Sequence, residues 1–259
     1  MKKEKKQQLK KIRDKIDKID EKILSLLNQR AEQAKKTTNL KVDSVYDPKR
    51  EKEVLSKLAG KKSGTLSPPA IEQVYGEILS ACREVQAPIQ VSFLGPEGSN
   101  TDEVAKKQFG SSASFYSQPT ILDVLAAVEN EESQYGIVPL ENTIEGPVVE
   151  TLDGLIEKNV SIVSQIQLKI SHYLMSQEKD IKNISKVYSH PQALAQCKKY
   201  LKKTLPNADL IETQSTARAA QIVSGKKKVA AIAPRPCSLL YSLNIIDKNY
   251  FLANDTITI

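Results

Sequence analysis

Residues 9–30 read LKKIRDKIDKIDEKILSLLNQR. Leu9, Ile12, Ile16, Ile19, Ile23 and Leu26 recur at spacings of three and four, the seam of a long amphipathic or coiled-coil-like helix. No proline interrupts the chain before Pro48. Continued past Leu26, the seam places Arg30 and Gln33 where apolar residues belong. A charge there needs a partner or an anionic ligand, because an unpaired buried charge is costly. Lys41 lies eleven residues beyond Arg30, about three turns on and nearly on the same face. Arg13 lies seventeen residues before Arg30, about 25 Å away along the axis and on another face. One small ligand can meet Arg30 and Lys41 together. It meets Arg13 only if that residue comes from elsewhere, such as a partner chain.

Outward from this seam, Asp47-Pro48 predicts a second helix, with Asp as N-cap and Pro at the first helical position. Ser67-Pro68 starts a third by the same logic, with Ile71, Val74, Tyr75, Ile78, Cys82 and Val85 on its apolar face. Three helices, one very long, cannot bury these faces as a compact monomer, so an intertwined homodimer is expected. Asp47, Arg50 and Glu51 share a face of the second helix, and Cys82 and Gln86 share one of the third. Two readings stand: surface charges with ordinary ion pairs, or a polar pocket for a small dianion.

The whole chain of 259 residues is 40% hydrophobic, enough for a core. No apolar run reaches the roughly 20 residues that span a bilayer, and the Lys-rich start lacks an apolar segment behind it, so no secretory signal is expected. Cys82, Cys197 and Cys237 are odd in number and widely spaced, which fits a reducing, cytoplasmic setting without a disulfide framework or thiolate metal site. The net charge of +7 is uneven: +8 falls on residues 1–41 and −1 on the rest. A basic arm suits nucleic acid or a small polyanion. The excess lies on a seam helix, with only Tyr46 and Tyr75 as nearby aromatics, so neither nucleic acid nor a membrane is an expected partner.

After Ala87-Pro88 the texture changes. Short apolar runs (Gln90–Leu94, Tyr135–Pro139, Ile162–Ile170, Lys186–Ser189, Val229–Ala233) alternate with helical stretches (Ile121–Asn130, Val148–Lys158, Pro191–Leu205, Ser215–Ser224). That pattern predicts an α/β domain, with turn-rich segments at strand ends, where open α/β sheets bind ligands. Gly95-Pro-Glu-Gly98 reads as a strand–turn–helix with a possible anion nest. Ser215-Thr216 caps a helix, a natural carboxylate site.

Two resemblances follow. Residues 5–87, through Leu9-x-x-Ile-Arg13, Arg30, Lys41, Asp47-x-x-Arg50-Glu51 and Ser80-Ala-Cys82-x-x-x-Gln86, resemble the all-helical chorismate mutase domain. The resemblance implies an intertwined dimer in which each site borrows Arg13 from the other chain. Arg13 and Arg30 would clamp the substrate carboxylates, and Lys41 and Gln86 would donate to the ether oxygen. Asp47 and Arg50 would shape the pocket, Glu51 would accept the substrate hydroxyl, and Cys82 stands where a serine is usual. A unimolecular Claisen rearrangement needs no nucleophile and no cofactor, only a held conformer and stabilised charge on the ether oxygen.

Residues 89–256, through Pro139-Leu-Glu141-Asn142-Thr143, Ser189-His-Pro-Gln-x-x-x-Gln196 and Asn254-Asp-Thr256, resemble prephenate dehydratase. Fused in this order, the two domains resemble the bifunctional chorismate mutase/prephenate dehydratase family of phenylalanine biosynthesis. The implied fold is α plus α/β: a three-helix domain over 1–87, then a two-lobed α/β domain over 88–259 like periplasmic binding proteins, its lobes roughly 89–166 plus 247–259 and 167–246. Glu141, Asn142, Ser189, Gln196, Ser215 and Thr216 would bind substrate, and the Thr256 hydroxyl would assist the leaving hydroxyl. The implied substrates are chorismate and prephenate, with no metal and no cofactor. The pattern departs from the family at Ile257-Thr258, where Arg-Phe is usual, at Asn100, and at Pro234-Arg235-Pro236. These leave open an alternative in which the mutase is active and the second domain serves as a ligand-binding or dimer-supporting module. Arg235 is one possible source of the missing cation. The family continues into a phenylalanine-sensing ACT domain, which this sequence, ending at Ile259, does not reach. His172 and His190 lack metal-like spacing and are read as structural.

Overall fold

The computed structural model describes residues 2–40, 45–61, 64–143, 146–251 and 256–259. The chain separates into two compact units. The first comprises Met1–Ile89 together with Phe109–Ala113, and the second holds the remaining residues.

In the first unit, α1 runs from Lys2 to Thr37 and closes in a 3-10 turn over Thr38–Leu40. Helix α2 spans Pro48–Ala59 and α3 spans Pro68–Glu84. The two start signals act in part as expected. Asp47 caps α2, its Oδ1 accepting from the Arg50 amide at 2.9 Å, and Pro48 spends no donor at the first helical position. Ser67 occupies the cap of α3 in extended conformation, without a side-chain cap bond. The seam of α1 is uncovered: Leu9, Ile12, Ile16, Ile19, Ile23 and Leu26 are each 47–62% exposed. Burial in α3 gathers at its C-terminal end, on Leu79, Ser80, Cys82 and Arg83, while Val74 and Val85 of the expected apolar face are exposed.

The second unit opens with β1 (Gln90–Leu94), α4 (Asn100–Phe109, whose last residue falls in the first unit), β2 (Ser114–Gln118), α5 (Ile121–Glu129) and β3 (Tyr135–Ile137). These strands form a parallel sheet in the order β2-β1-β3. Central β1 buries Val91, Ser92 and Phe93, both faces at once, as a covered parallel strand should. Next come β4 (Glu141–Asn142), β5 (Gly146–Pro147), α6 (Val149–Glu157) and β6 (Gln167–Lys169). The other layer follows as β7 (His172–Ser176), β8 (Lys186–Ser189), α7 (Pro191–Thr204), β9 (Asp209–Glu212), α8 (Thr216–Val223), β10 (Val229–Ala233), α9 (Pro236–Leu240) and β11 (Asn244–Phe251), before β12 (Thr256–Thr258). Its five-stranded sheet has the order β11-β7-β10-β8-β9. Strand β10 is buried throughout, and its side chains alternate between two cores. Ala230 and Ile232 face Leu194, Cys197 and Leu201 of α7. Val229, Ala231 and Ala233 face Ala217, Ala220 and Val223 of α8.

The last strand returns. Antiparallel β12 lies between β4 and β6 in a four-stranded sheet of order β5-β4-β12-β6. This moves the expected lobe limits. Phe251 still pairs with His172 on β7, so the crossing back falls after Phe251 rather than at 247. Strand β6 pairs with β12, so residues 167–169 belong with the returning strand rather than with the second lobe. The apolar run Ile162–Ile170 forms strand only over Gln167–Lys169, and Ile162 and Val163 are exposed.

Candidate active sites

Arg13 is exposed and Arg30 half-buried on α1. An open hollow of about 520 Å³ lies beside Arg30, lined by Asn28, Gln29, Glu32 and other residues of α1 alone. One helix can supply only one wall of a site. Arg50 projects into solvent, 67% exposed, with its Nη1 3.2 Å from Glu53 Oε2. Such an exposed pair contributes little and leaves the guanidinium available. Lys41 lies outside the described residues.

Gln86 is more settled. Its Nε2 donates to the Cys82 carbonyl at 2.9 Å, and its Oε1 accepts from the Thr37 hydroxyl at 3.4 Å. The end of α3 thus meets the end of α1, bringing Gln86 and buried Cys82 towards the C-terminal part of the α1 helix. Asp47 serves as the α2 cap, so its carboxylate is already committed to the Arg50 amide.

Glu51 has a partner that sequence reading missed. Arg83 Nη1 bonds both Glu51 oxygens, and Arg83 Nη2 donates to the Phe109 carbonyl at 2.6 Å. Arg83 is 4% exposed. It also lies over the Tyr46 ring, 5.3 Å from the centroid. Arg83 stands next to Cys82 on α3 and breaks no apolar periodicity, so its only sequence signal was a basic residue between two small-residue positions and Gln86.

In the α/β unit, β12 brings the carboxy-terminal threonine motif beside the Glu141-Asn142 strand. Ile257 pairs with Asn142 on one side and Leu168 on the other, and Thr258 pairs with Glu141 and Gln167. Directly opposed residues share a face, so Ile257 and Asn142 form one cross-strand pair and Thr258 and Glu141 another. Asn142 is buried and Glu141 exposed. The Thr256 backbone is in β12, opposite Lys169, while its side chain lies outside the described residues.

Ser189 is sealed in the sheet, and its hydroxyl donates to the Ile232 carbonyl at 2.7 Å. It therefore ties β8 to β10. Gln196 is half-buried on α7. Ser215 caps α8, accepting from the Arg218 amide at 3.0 Å, with half-buried Thr216 at the first helical position. Arg235 is exposed at the start of α9.

The Gly-Pro-Glu-Gly turn is not an open nest. Gly98 has φ +82°, and its amide donates to buried Asp102 Oδ2 at 2.8 Å. Lys106 Nζ reaches the same oxygen at 2.9 Å. Cys237 donates its thiol proton to the Gly98 carbonyl at 3.3 Å. Burial, with Asp102 nearby, pushes the Cys237 thiol up to about 12. Burial does the same to Cys197. Neither is a nucleophile. Among the described residues no group of His, Cys, Asp and Glu is placed to hold a metal ion, and no helix is long and apolar enough to cross a membrane.

Comparison with known proteins adds independent findings. A family model described as chorismate mutase type II matches residues 12–87, and one described as prephenate dehydratase matches residues 91–258. A bifunctional chorismate mutase/prephenate dehydratase of Aquifex aeolicus is 39% identical over 259 residues, covering 97% of this chain and 72% of the relative. The solved prephenate dehydratase of Arthrobacter aurescens, in complex with L-Phe, is similar with a TM-score of 0.57 at 26% identity, covering 66% of this chain and 59% of that one. That of Staphylococcus aureus gives 0.54 at 30% identity, covering 66% and 64%.

Proposed function

The chain belongs to the family of bifunctional chorismate mutase/prephenate dehydratases, and we propose that it performs both reactions in sequence, with prephenate as product of the first unit and substrate of the second. Chorismate to prephenate is an isomerisation: one carbon–oxygen bond breaks as one carbon–carbon bond forms, with no proton or electron exchanged. Rate comes from holding the compact conformer and from donors aimed at the ether oxygen as charge develops there. Arg30 and the partner subunit's Arg13 grip the two carboxylates. Lys41 and Gln86 donate to the ether oxygen, the neutral amide doing so at any ordinary pH. Arg50 swings from Glu53 onto the substrate, and Glu51 accepts the ring hydroxyl. Cys82 donates more weakly than a serine would.

The uncovered α1 seam supports a homodimer through the helical unit, because a row of apolar residues half-open to water is stabilised by an identical row across a two-fold axis. It also supports the borrowing of Arg13, which no single copy of α1 can bring to Arg30.

In the second unit the ring carboxylate of prephenate leaves as CO2, its bonding pair aromatises the ring as the carbon–oxygen bond breaks, and the departing hydroxyl takes up a proton from solvent to leave as water, giving phenylpyruvate. The Thr256 hydroxyl hydrogen-bonds the departing oxygen, Glu141 and Asn142 line the same sheet, and Gln196, Ser215 and Thr216 hold the carboxylate ends. Ser189 acts only by fixing β8. The observation that carries this half is the insertion of β12 between β4 and β6, which sets Ile257 and Thr258 beside Glu141 and Asn142, more than a hundred residues earlier in the chain. Ile257 favours a second reading, a dehydratase domain that binds prephenate without turning it over, since Ile offers no cation. One assay separates them: prephenate at neutral pH, following phenylpyruvate. Turnover near the mutase rate supports the bifunctional reading, and none above the spontaneous rate overturns it in favour of the second.

A further inference from the structure

The five residues Phe109–Ala113 belong to the helical unit although the chain around them belongs to the other. They are held there by a dense set of bonds. The Phe109 carbonyl accepts from Ser80 Oγ at 2.7 Å and from Arg83 Nη2 at 2.6 Å. Ser80 Oγ in turn accepts from the Ser112 amide at 3.2 Å, and the Ser111 amide donates to Glu77 Oε2 at 3.2 Å. The Phe109 ring packs on Tyr46 with centroids 4.9 Å apart. Gly110 sits at φ +71°, and a Cβ there would come within 2.4 Å of Ser80 Cβ. Only glycine fits this turn and this approach.

Three groups close around Arg83: the Phe109 carbonyl from this segment, the Tyr46 ring on which Phe109 packs, and the Glu51 carboxylate of α2. A guanidinium stays charged at any working pH, so buried Arg83 must be paired, and its acidic partner is the residue assigned to the substrate hydroxyl. Resting on the mutase reading above, we propose that Arg83 is a positioning residue of the mutase site and that Phe109–Ala113 is its seat. Arg83 fixes the direction of the Glu51 carboxylate. It also cancels that carboxylate's charge, so that an acceptor can stand beside a substrate carrying two negative charges without repelling it. The mutase then depends on five residues that lie, in sequence, within the dehydratase domain.

The test uses the full-length chain. Arg83→Met should raise KM for chorismate roughly tenfold to a hundredfold, the size expected when one like charge is left unscreened near a dianion. Its kcat should change little, because the lost term acts on bound substrate and transition state alike. Added salt should relieve the KM defect by screening the repulsion. Arg83→Lys should recover part of it. In the Glu51→Gln background, Arg83→Met should add nothing further, since no carboxylate remains to aim or neutralise. Gly110→Ala, which unseats the segment without touching Arg83, should raise KM in the same direction while phenylpyruvate formation from added prephenate stays within about twofold. It also serves as the second probe should Arg83→Met fail to fold. Arg83→Met with normal KM, or a loss equal in both Glu51 backgrounds, overturns the proposal. Absence of mutase turnover in the parent chain would instead overturn the mutase reading itself.

Discussion

Ile16→Asp tests whether the α1 seam is an interface. Ile16 is 49% exposed. Fully burying an isoleucine is worth about 1.5–3 kcal/mol, so covering its open half contributes about 1 kcal/mol per copy, or about 2 kcal/mol across a two-fold interface. Aspartate forfeits this and places two carboxylates in the apolar seam, at a further cost of about 1–3 kcal/mol each. The sum is at least ~4 kcal/mol, a factor of roughly a thousand in the dissociation constant. Sedimentation equilibrium over a concentration series reads that shift directly, and chorismate turnover should fall with the dimer because each site lacks its second arginine. A variant that dissociates no more readily than the parent and turns over chorismate as fast refutes the reasoning.

Three further outcomes are expected. Arg30→Ala should abolish mutase turnover while circular dichroism and phenylpyruvate formation from prephenate stay unchanged; near-normal mutase turnover would contradict the pocket. Ile257 stands half-buried opposite Asn142, so Ile257→Arg should place a guanidinium beside that residue and raise dehydratase turnover at least tenfold, with no gain counting against the missing-cation account. Cys197 and Cys237 carry thiols raised from 9.0 to about 12 by burial. The unfolded chain therefore loses these protons first, and the stability contributed is complete below pH 9 and lost as pH rises towards 12; denaturant midpoints across that window, compared with a Cys197→Ala/Cys237→Ala variant, check the sign.

What the sequence revealed was the part governed by local physics. The α1 seam, the Asp47 and Ser215 caps and the buried strands Gln90–Leu94 and Val229–Ala233 all follow from periodicity or from a cap side chain beside its amide. The edge strands did not show. Ser114–Gln118 and Asp209–Glu212 are mostly exposed and carry no apolar alternation, so only their neighbours make them strands. The Ile162–Ile170 run misled in the opposite way, because apolarity without a pairing strand does not make a ladder. Ser189 entered through a resemblance, and its bond to the Ile232 carbonyl inside the sheet joins two strands that no sequence spacing brings together. Arg83 was invisible for a related reason: the pairing with Glu51 joins two helices and a distant loop, and no spacing rule spans that distance.

The shared mutase site is tested most directly by mixing two inactive chains. Arg13→Ala and Arg30→Ala are co-expressed with different affinity tags, and the mixed dimer is purified. If Arg13 completes the partner's site, every mixed dimer carries one intact site and one doubly altered site, and chorismate turnover should return to about half of the parent value. Mixed dimers as inactive as their two parents would contradict the account.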